Sequence, residues 1–243
     1  MIAFIPELMG IGAVLWIVTA SQRFKYRQIG FVNTRRDGVI ALSLWLLGMI
    51  LEVGIYTGVI PIPTIPGVNS LNLAQPLLSI QPIAALVLLV VVLISMAYRR
   101  QPPKSAGWNR LTLRTGAMAG LALALLTLFL RAKFNQVFGG LNGFQIEAIL
   151  LVSLLSLAEE TVFRGYLQLR LVWWLGKRWG MLLTAALFVI WQLPLILSSP
   201  QTMLVNLGLT VAQSLLLVWM MDSFGNVSAP ILYRLVSLWC AFL

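Results

Sequence analysis

The chain has 243 residues, 60% of them hydrophobic and 10% charged, with a mean hydropathy of +0.92. That composition excludes a soluble globular domain and points to a polytopic membrane protein. The formal net charge is +10, but the cations sit in short connections between apolar runs. They therefore read as orientation signals facing lipid head groups, and nucleic acid is not an expected partner.

A helix needs about 20 apolar residues to cross the hydrocarbon core. In chain order the candidate spans are Ile2–Ala20, Val39–Ile60, Ile80–Tyr98, Thr115–Leu130, Phe144–Leu157, Met181–Leu197, Met203–Met221 and Ser228–Leu243. The first carries Glu7 and no preceding cation, so it is expected to be a retained helix and not a cleaved signal peptide. Glu52 falls mid-span in the second and is expected to be a hydrogen-bonded packing residue, with Arg164 or Arg234 as a partner. The connection Pro61–Ser79 holds Pro61, Pro63, Pro66 and Pro76 and is predicted to be an extended loop. The fifth span is predicted to run past two glutamates as an amphipathic helix to about Leu175. Asn206 and Gln213, seven residues apart on the seventh span, suit interhelical hydrogen bonds. The fourth, sixth and eighth runs are short and are expected to tilt or stop short of a full crossing. The fold class expected is all-α, a membrane helical bundle of about eight transmembrane helices, with 1–243 as a single integral-membrane domain.

Arg23, Lys25, Arg27, Arg35 and Arg36 follow the first span. Arg99, Arg100, Lys104, Arg110 and Arg114 follow the third, and Arg164, Arg170, Lys177 and Arg178 the fifth. Those odd-numbered connections are expected to be cytoplasmic, with both termini on the other side of an inner, plasma or thylakoid-type membrane. Arg131 and Lys133 are the exception to the pattern. Trp16, Trp108, Trp173, Trp174 and Trp179 lie near span ends, as an interfacial belt requires. The lone cysteine, Cys240, excludes an intrachain disulfide. The last four residues fit a prenylation pattern only formally, since they close an apolar helix with no polybasic run before it.

Charge inside an apolar run is expensive and marks a functional hypothesis. The run Ala158-Glu159-Glu160-Thr161-Val162-Phe163-Arg164-Gly165-Tyr166-Leu167 carries three such charges. On a helix Glu160 and Arg164 are spaced i,i+4, with the acid in the favourable N-terminal position. Glu159 lies about 100° round from Glu160 and can face a different side. One paired and one freer carboxylate suit acid–base chemistry, and equally a purely structural cluster. Zinc would need histidine or cysteine ligands, which are missing near the glutamates, so no metal or other cofactor is expected.

The segment Glu159-Glu160-x-x-Phe163-Arg164-Gly165-x-Leu167 resembles the first motif of the CPBP family. These are the CAAX-processing and bacteriocin-processing type intramembrane peptidases, which include the type II prenyl-protein endopeptidases. Phe188-Val189-Ile190-Trp191-Gln192-Leu193-Pro194 resembles the second motif, Phe-x-x-x-His. Ala229-Pro230-Ile231-Leu232, followed by Arg234 and Leu238, resembles the third, His-x-x-x-Asn. The likeness covers the C-terminal hundred or so residues, within 115–243. It implies a CPBP-like intramembrane protease fold and a water activated by Glu159 together with the second-motif histidine. The third-motif histidine and asparagine would stabilise the oxyanion.

The chain has no histidine at all. Gln192 stands at the first histidine position, Arg234 at the second and Leu238 at the asparagine. Glutamine hydrogen-bonds but does not ionise, and arginine stays charged. Arg234 is expected to grip Glu159 or Glu160 as a forked pair, turning the catalytic centre into a buried ion cluster that locks the bundle. The function expected is that of a protease homologue without peptidase activity, binding another integral membrane protein as a scaffold or assembly factor. Two alternatives stand beside it: a working CAAX-like endopeptidase using Glu159, and a small transporter with Glu52, Glu159, Glu160 and Arg234 along its path.

Overall fold

A computed structural model describes residues 4–21, 30–60, 76–198 and 200–243. Every regular element among the described residues is helical. The first half contains α1 (Phe4–Ser21), α2 (Thr34–Tyr56), α3 (Pro76–Tyr98) and α4 (Arg110–Leu130). The short α5 (Phe134–Phe138) leads to α6 (Gly143–Glu160), which continues without a break through a π-helical turn, Thr161–Leu167, into α7 (Gln168–Leu175). Then come α8 (Lys177–Trp191), α9 (Leu193–Leu197), α10 (Met203–Phe224) and α11 (Ser228–Trp239). Short 3-10 turns span Pro103–Ala106 and Pro200–Thr202.

Local chemistry sets several of these boundaries. The Asn142 side chain accepts from the Gln145 amide, and the Gln145 side chain accepts from the Asn142 amide. This reciprocal cap starts α6. Gly225 closes α10 at φ 62°, a left-handed conformation that glycine adopts without a side-chain clash. Pro194 falls in the first turn of α9. It separates α9 from α8 at Gln192, because a proline is tolerated at a helix start and not in its interior.

Four stretches are long and apolar enough to cross a bilayer: Thr34–Tyr56, Gln81–Tyr98, Pro103–Leu130 and Pro200–Phe224. The chain is an integral membrane protein, in contact with lipid along these helices. Two sequence expectations need correction. The fourth span is not short, since α4 begins at Arg110 and has 21 residues. The eighth run is short, as expected: α11 has 12 residues, about 18 Å at ~1.5 Å per residue, against a hydrocarbon core of about 30 Å. Pro76–Ser79 is helix and not loop, because Pro76 occupies the first turn of α3. The rest of that predicted loop, 61–75, lies outside the described residues.

The helices pack as a bundle. α11 lies against α4 and α6, α3 against α2 and α6, and α8 against α7 and α10. Gly116 and Gly120 let α11 approach α4 closely, as small residues do in lipid. A Cβ on Gly120 would stand 2.9 Å from the Ala229 backbone.

Burial also revises the cation count. Arg164 and Arg170 are fully buried and so do not report orientation. Arg170 donates to the carbonyls of Ser105 (3.0 Å) and Tyr166 (2.8 Å) and to Gln101 Oε1 (2.5 Å), with its guanidinium over the Tyr166 ring. The exceptional Arg131 pairs with buried Glu7 and reaches Ser237. Its position is set by that ion pair. Asn206 bonds locally to Thr202 (2.9 Å), and only Gln213 reaches another helix, at Ser237 (3.4 Å).

Candidate functional site

The last turn of α6 presents Glu159 and Glu160 to the bundle interior, at 1% and 0% exposure. Both face Arg234 of α11. One guanidinium nitrogen bonds Glu160 Oε1 at 2.8 Å and another pairs with Glu159 Oε2. The sequence left open which glutamate Arg234 would take, and it takes both. Arg164, on the π turn, pairs with Glu160 Oε2 at 3.3 Å. It also donates to Ser214 of α10 at 3.4 Å. Two cations thus meet two carboxylates in one buried cluster.

Both guanidinium groups lie over the Phe188 ring of α8, Arg164 at 4.1 Å and Arg234 at 4.5 Å from its centroid. An aromatic face attracts cations electrostatically, more strongly in a dry site. Phe163 holds this ring edge-on at 5.1 Å.

Glu159 Oε1 faces the other way, toward α3 and the α8–α9 elbow. It accepts from Trp191 Nε1 at 2.7 Å, Gln81 Nε2 at 3.2 Å and Gln192 Nε2 at 3.3 Å. Gln81 also donates to Gln192 Oε1 at 2.5 Å. The amide at Gln192 therefore serves as both donor and acceptor, which locks its orientation. Leu238 lies in the apolar packing of two core clusters and brings no polar group.

Folding brings Glu159, Glu160, Arg164, Phe188, Gln192 and Arg234 together. Two further members were not singled out in the sequence. Gln81 is a lone amide in an apolar helix, a signal of the kind that marks intramembrane function. Trp191 carries an indole N–H, which seeks a partner when buried. Glu52 is a correction: both expected partners are committed elsewhere, and neither of its oxygens has a hydrogen-bond partner. Among the described residues no group of three or more histidine, cysteine, aspartate or glutamate side chains is arranged to hold a metal ion.

The model of the type II CAAX prenyl endopeptidase Rce1-like family matches residues 142–239. Residues 142–239 are thus similar to this family. The limits of the match coincide with the fold: Asn142 is the cap that starts α6, and Trp239 ends α11. The matched region therefore contains the whole ion cluster, while Gln81 and Glu52 come from helices outside it. Neither a curated protein nor a solved structure matches the chain.

Proposed function

We propose that the chain is a CPBP-family homologue without peptidase activity, acting as a scaffold or assembly factor for another integral membrane protein. The observation that carries this reading is the position of Arg234, which holds both motif glutamates at once. A general base needs a free lone pair and a reachable water. Oε1 of Glu159 already accepts three hydrogen bonds and Oε2 is ion-paired. Gln192 has no proton to exchange. A fold can persist after its chemistry is gone, and the rigid cluster then holds helices in place for a partner to dock on. Orientation follows the remaining exposed cations, so we place the odd-numbered connections in the cytoplasm and both termini opposite.

The test is a cleavage assay on reconstituted protein, with prenylated CAAX peptides and membrane-protein reporters. The wild type and Glu159→Gln are expected to be equally inactive. A membrane protein should co-purify in stoichiometric amount with both. Cleavage by the wild type that Glu159→Gln abolishes would show a working endopeptidase and overturn the proposal.

A further inference from the structure

Glu52 of α2, Tyr56 one turn beyond it and Gln81 of α3 carry buried oxygens without a hydrogen-bond partner: both carboxyl oxygens, the phenol oxygen and the amide oxygen. Helix register brings the three together. Asp37 near the start of α2 pairs with Arg99, just past the end of α3. Eleven residues up α2 and eleven down α3, a Cβ on Gly48 would meet the Leu88 side chain at 2.8 Å. The two helices are therefore antiparallel and in step. On that register Glu52 stands level with Ala84, and Gln81 level with Ile55, beside Tyr56.

Glu52 is fully buried and belongs to no ion pair among the described residues. The elements packed against α2 include α3, α7 and the π turn. From α3 comes Arg99, about 22 Å away along α2. From α7 comes Arg170, held by Ser105, Tyr166 and Gln101. From the π turn comes Arg164, held by Glu160 and Ser214. The charge within reach of Glu52 is the carboxylate of Glu159. A buried carboxyl that faces another carboxylate and has no cation is held as the neutral acid.

Hydrogen-bond accounting calls for the same proton. Gln81 Nε2 donates to Glu159 Oε1 and Gln192 Oε1, so the amide oxygen is left needing a donor. With Glu52 ionised, its two oxygens and that of Gln81 would compete for the one hydrogen of Tyr56. With Glu52 neutral, donors and acceptors balance. The acid O–H serves Gln81 Oε1, and the phenol O–H serves the Glu52 carbonyl.

We propose that Glu52 is a proton-binding site and that, as the neutral acid, it positions Gln81 on Glu159. Rotation of the Glu52 and Tyr56 side chains closes a chain of hydrogen bonds from Tyr56 through Glu52 and Gln81 to Glu159. An ionised Glu52 would draw the Gln81 N–H groups to itself, leaving Glu159 Oε1 with Trp191 and Gln192. The proton on Glu52 thus decides which of two carboxylates the Gln81 amide serves. No proton passes along the chain, because an amide does not ionise; the bound proton acts by orientation. Glu52 is a positioning residue, and this role does not depend on whether Glu159 hydrolyses anything.

The experiment is infrared difference spectroscopy of the full chain reconstituted in lipid at neutral pH, with each variant's thermal midpoint as the check on folding. A neutral carboxyl has a C=O stretch above the amide bands, and an ionised one lacks it. The wild type is expected to show such a band, and Glu52→Gln to lose it. Tyr56→Phe and Gln81→Leu should each keep the band and move it to higher frequency, because each deletes one hydrogen bond of the acid. An acid that is buried but isolated would lose its band in Glu52→Gln and ignore both other variants. If Glu52→Gln does not fold, the two shifts decide the matter. A spectrum unchanged by Glu52→Gln, or a band that Tyr56→Phe or Gln81→Leu fails to move, would overturn the proposal. None of these readouts involves proteolysis, so failure here is distinct from failure of the reading above.

Discussion

Arg234→Ala is expected to destabilise the bundle by about 3–5 kcal/mol, the cost of removing one partner from a buried ion pair. The substitution strands two carboxylates in a dry interior. Glu159 Oε2 loses its ion-pair partner, and Glu160 keeps only Arg164, at 3.3 Å. One of the two cations over Phe188 disappears as well. Most of the loss should come from the stranded charge and less from the missing contact. The double variant Arg234→Met with Glu159→Gln should therefore recover a large part of the stability. Thermal unfolding in one detergent of the wild type, Arg234→Met, Glu159→Gln and the double variant gives the coupling directly. If Arg234→Ala unfolds at the wild-type midpoint, the cluster does not lock the bundle.

A second large effect is expected at Gly165, between Arg164 and Tyr166 on the π turn. A Cβ there would collide with the carbonyl oxygen of Ala106 and stand 3.1 Å from Val227 Cγ1. The obstacle is backbone that cannot give way. Arg170 binds the Ser105 carbonyl, and the Val227 amide donates to the Gly107 carbonyl. Gly165→Ala should cost at least about 1–3 kcal/mol, the range for overpacking a filled interior. It should also loosen the Arg164–Glu160 pair, because the π turn carries Arg164. Gly208→Ala on α10 is the control, with nothing within 4 Å of its added carbon. It should be neutral or stabilising by up to about 1 kcal/mol from helix propensity. Equal midpoints for the two variants would mean that the turn is not tightly seated.

The sequence made a good part of this legible. Apolar runs located the helices, and the amphipathic continuation to Leu175 ends where α7 ends. The Arg234 clamp was expected from arginine's permanent charge and from the resemblance to the third CPBP motif. What escaped were facts of packing. Gln81 meets Glu159 across 78 residues of chain, and no local pattern records that. Arg164 and Arg170 looked like connection cations because a run of charges does not reveal burial. Glu52 was given partners that folding had already committed. The π turn has no composition of its own, since every residue in it also suits an α-helix.

That turn has a geometric consequence. An α-helix advances about 100° per residue, whereas the Gln168 amide reaches back five residues, to Phe163. The wide turn takes up one residue that regular winding would not. Removing any one residue of it would restore α winding and leave α7 at its present azimuth, whereas rewinding all seven residues as α-helix would swing α7 by about 100° relative to α6. Gln168 would then miss the Val218 carbonyl, and Arg170 the Ser105 carbonyl, while the glutamates stayed where they are. The azimuth of the charged pair and that of the amphipathic arm beyond it are thus independent settings on one continuous rod, separated by a single-residue phase slip.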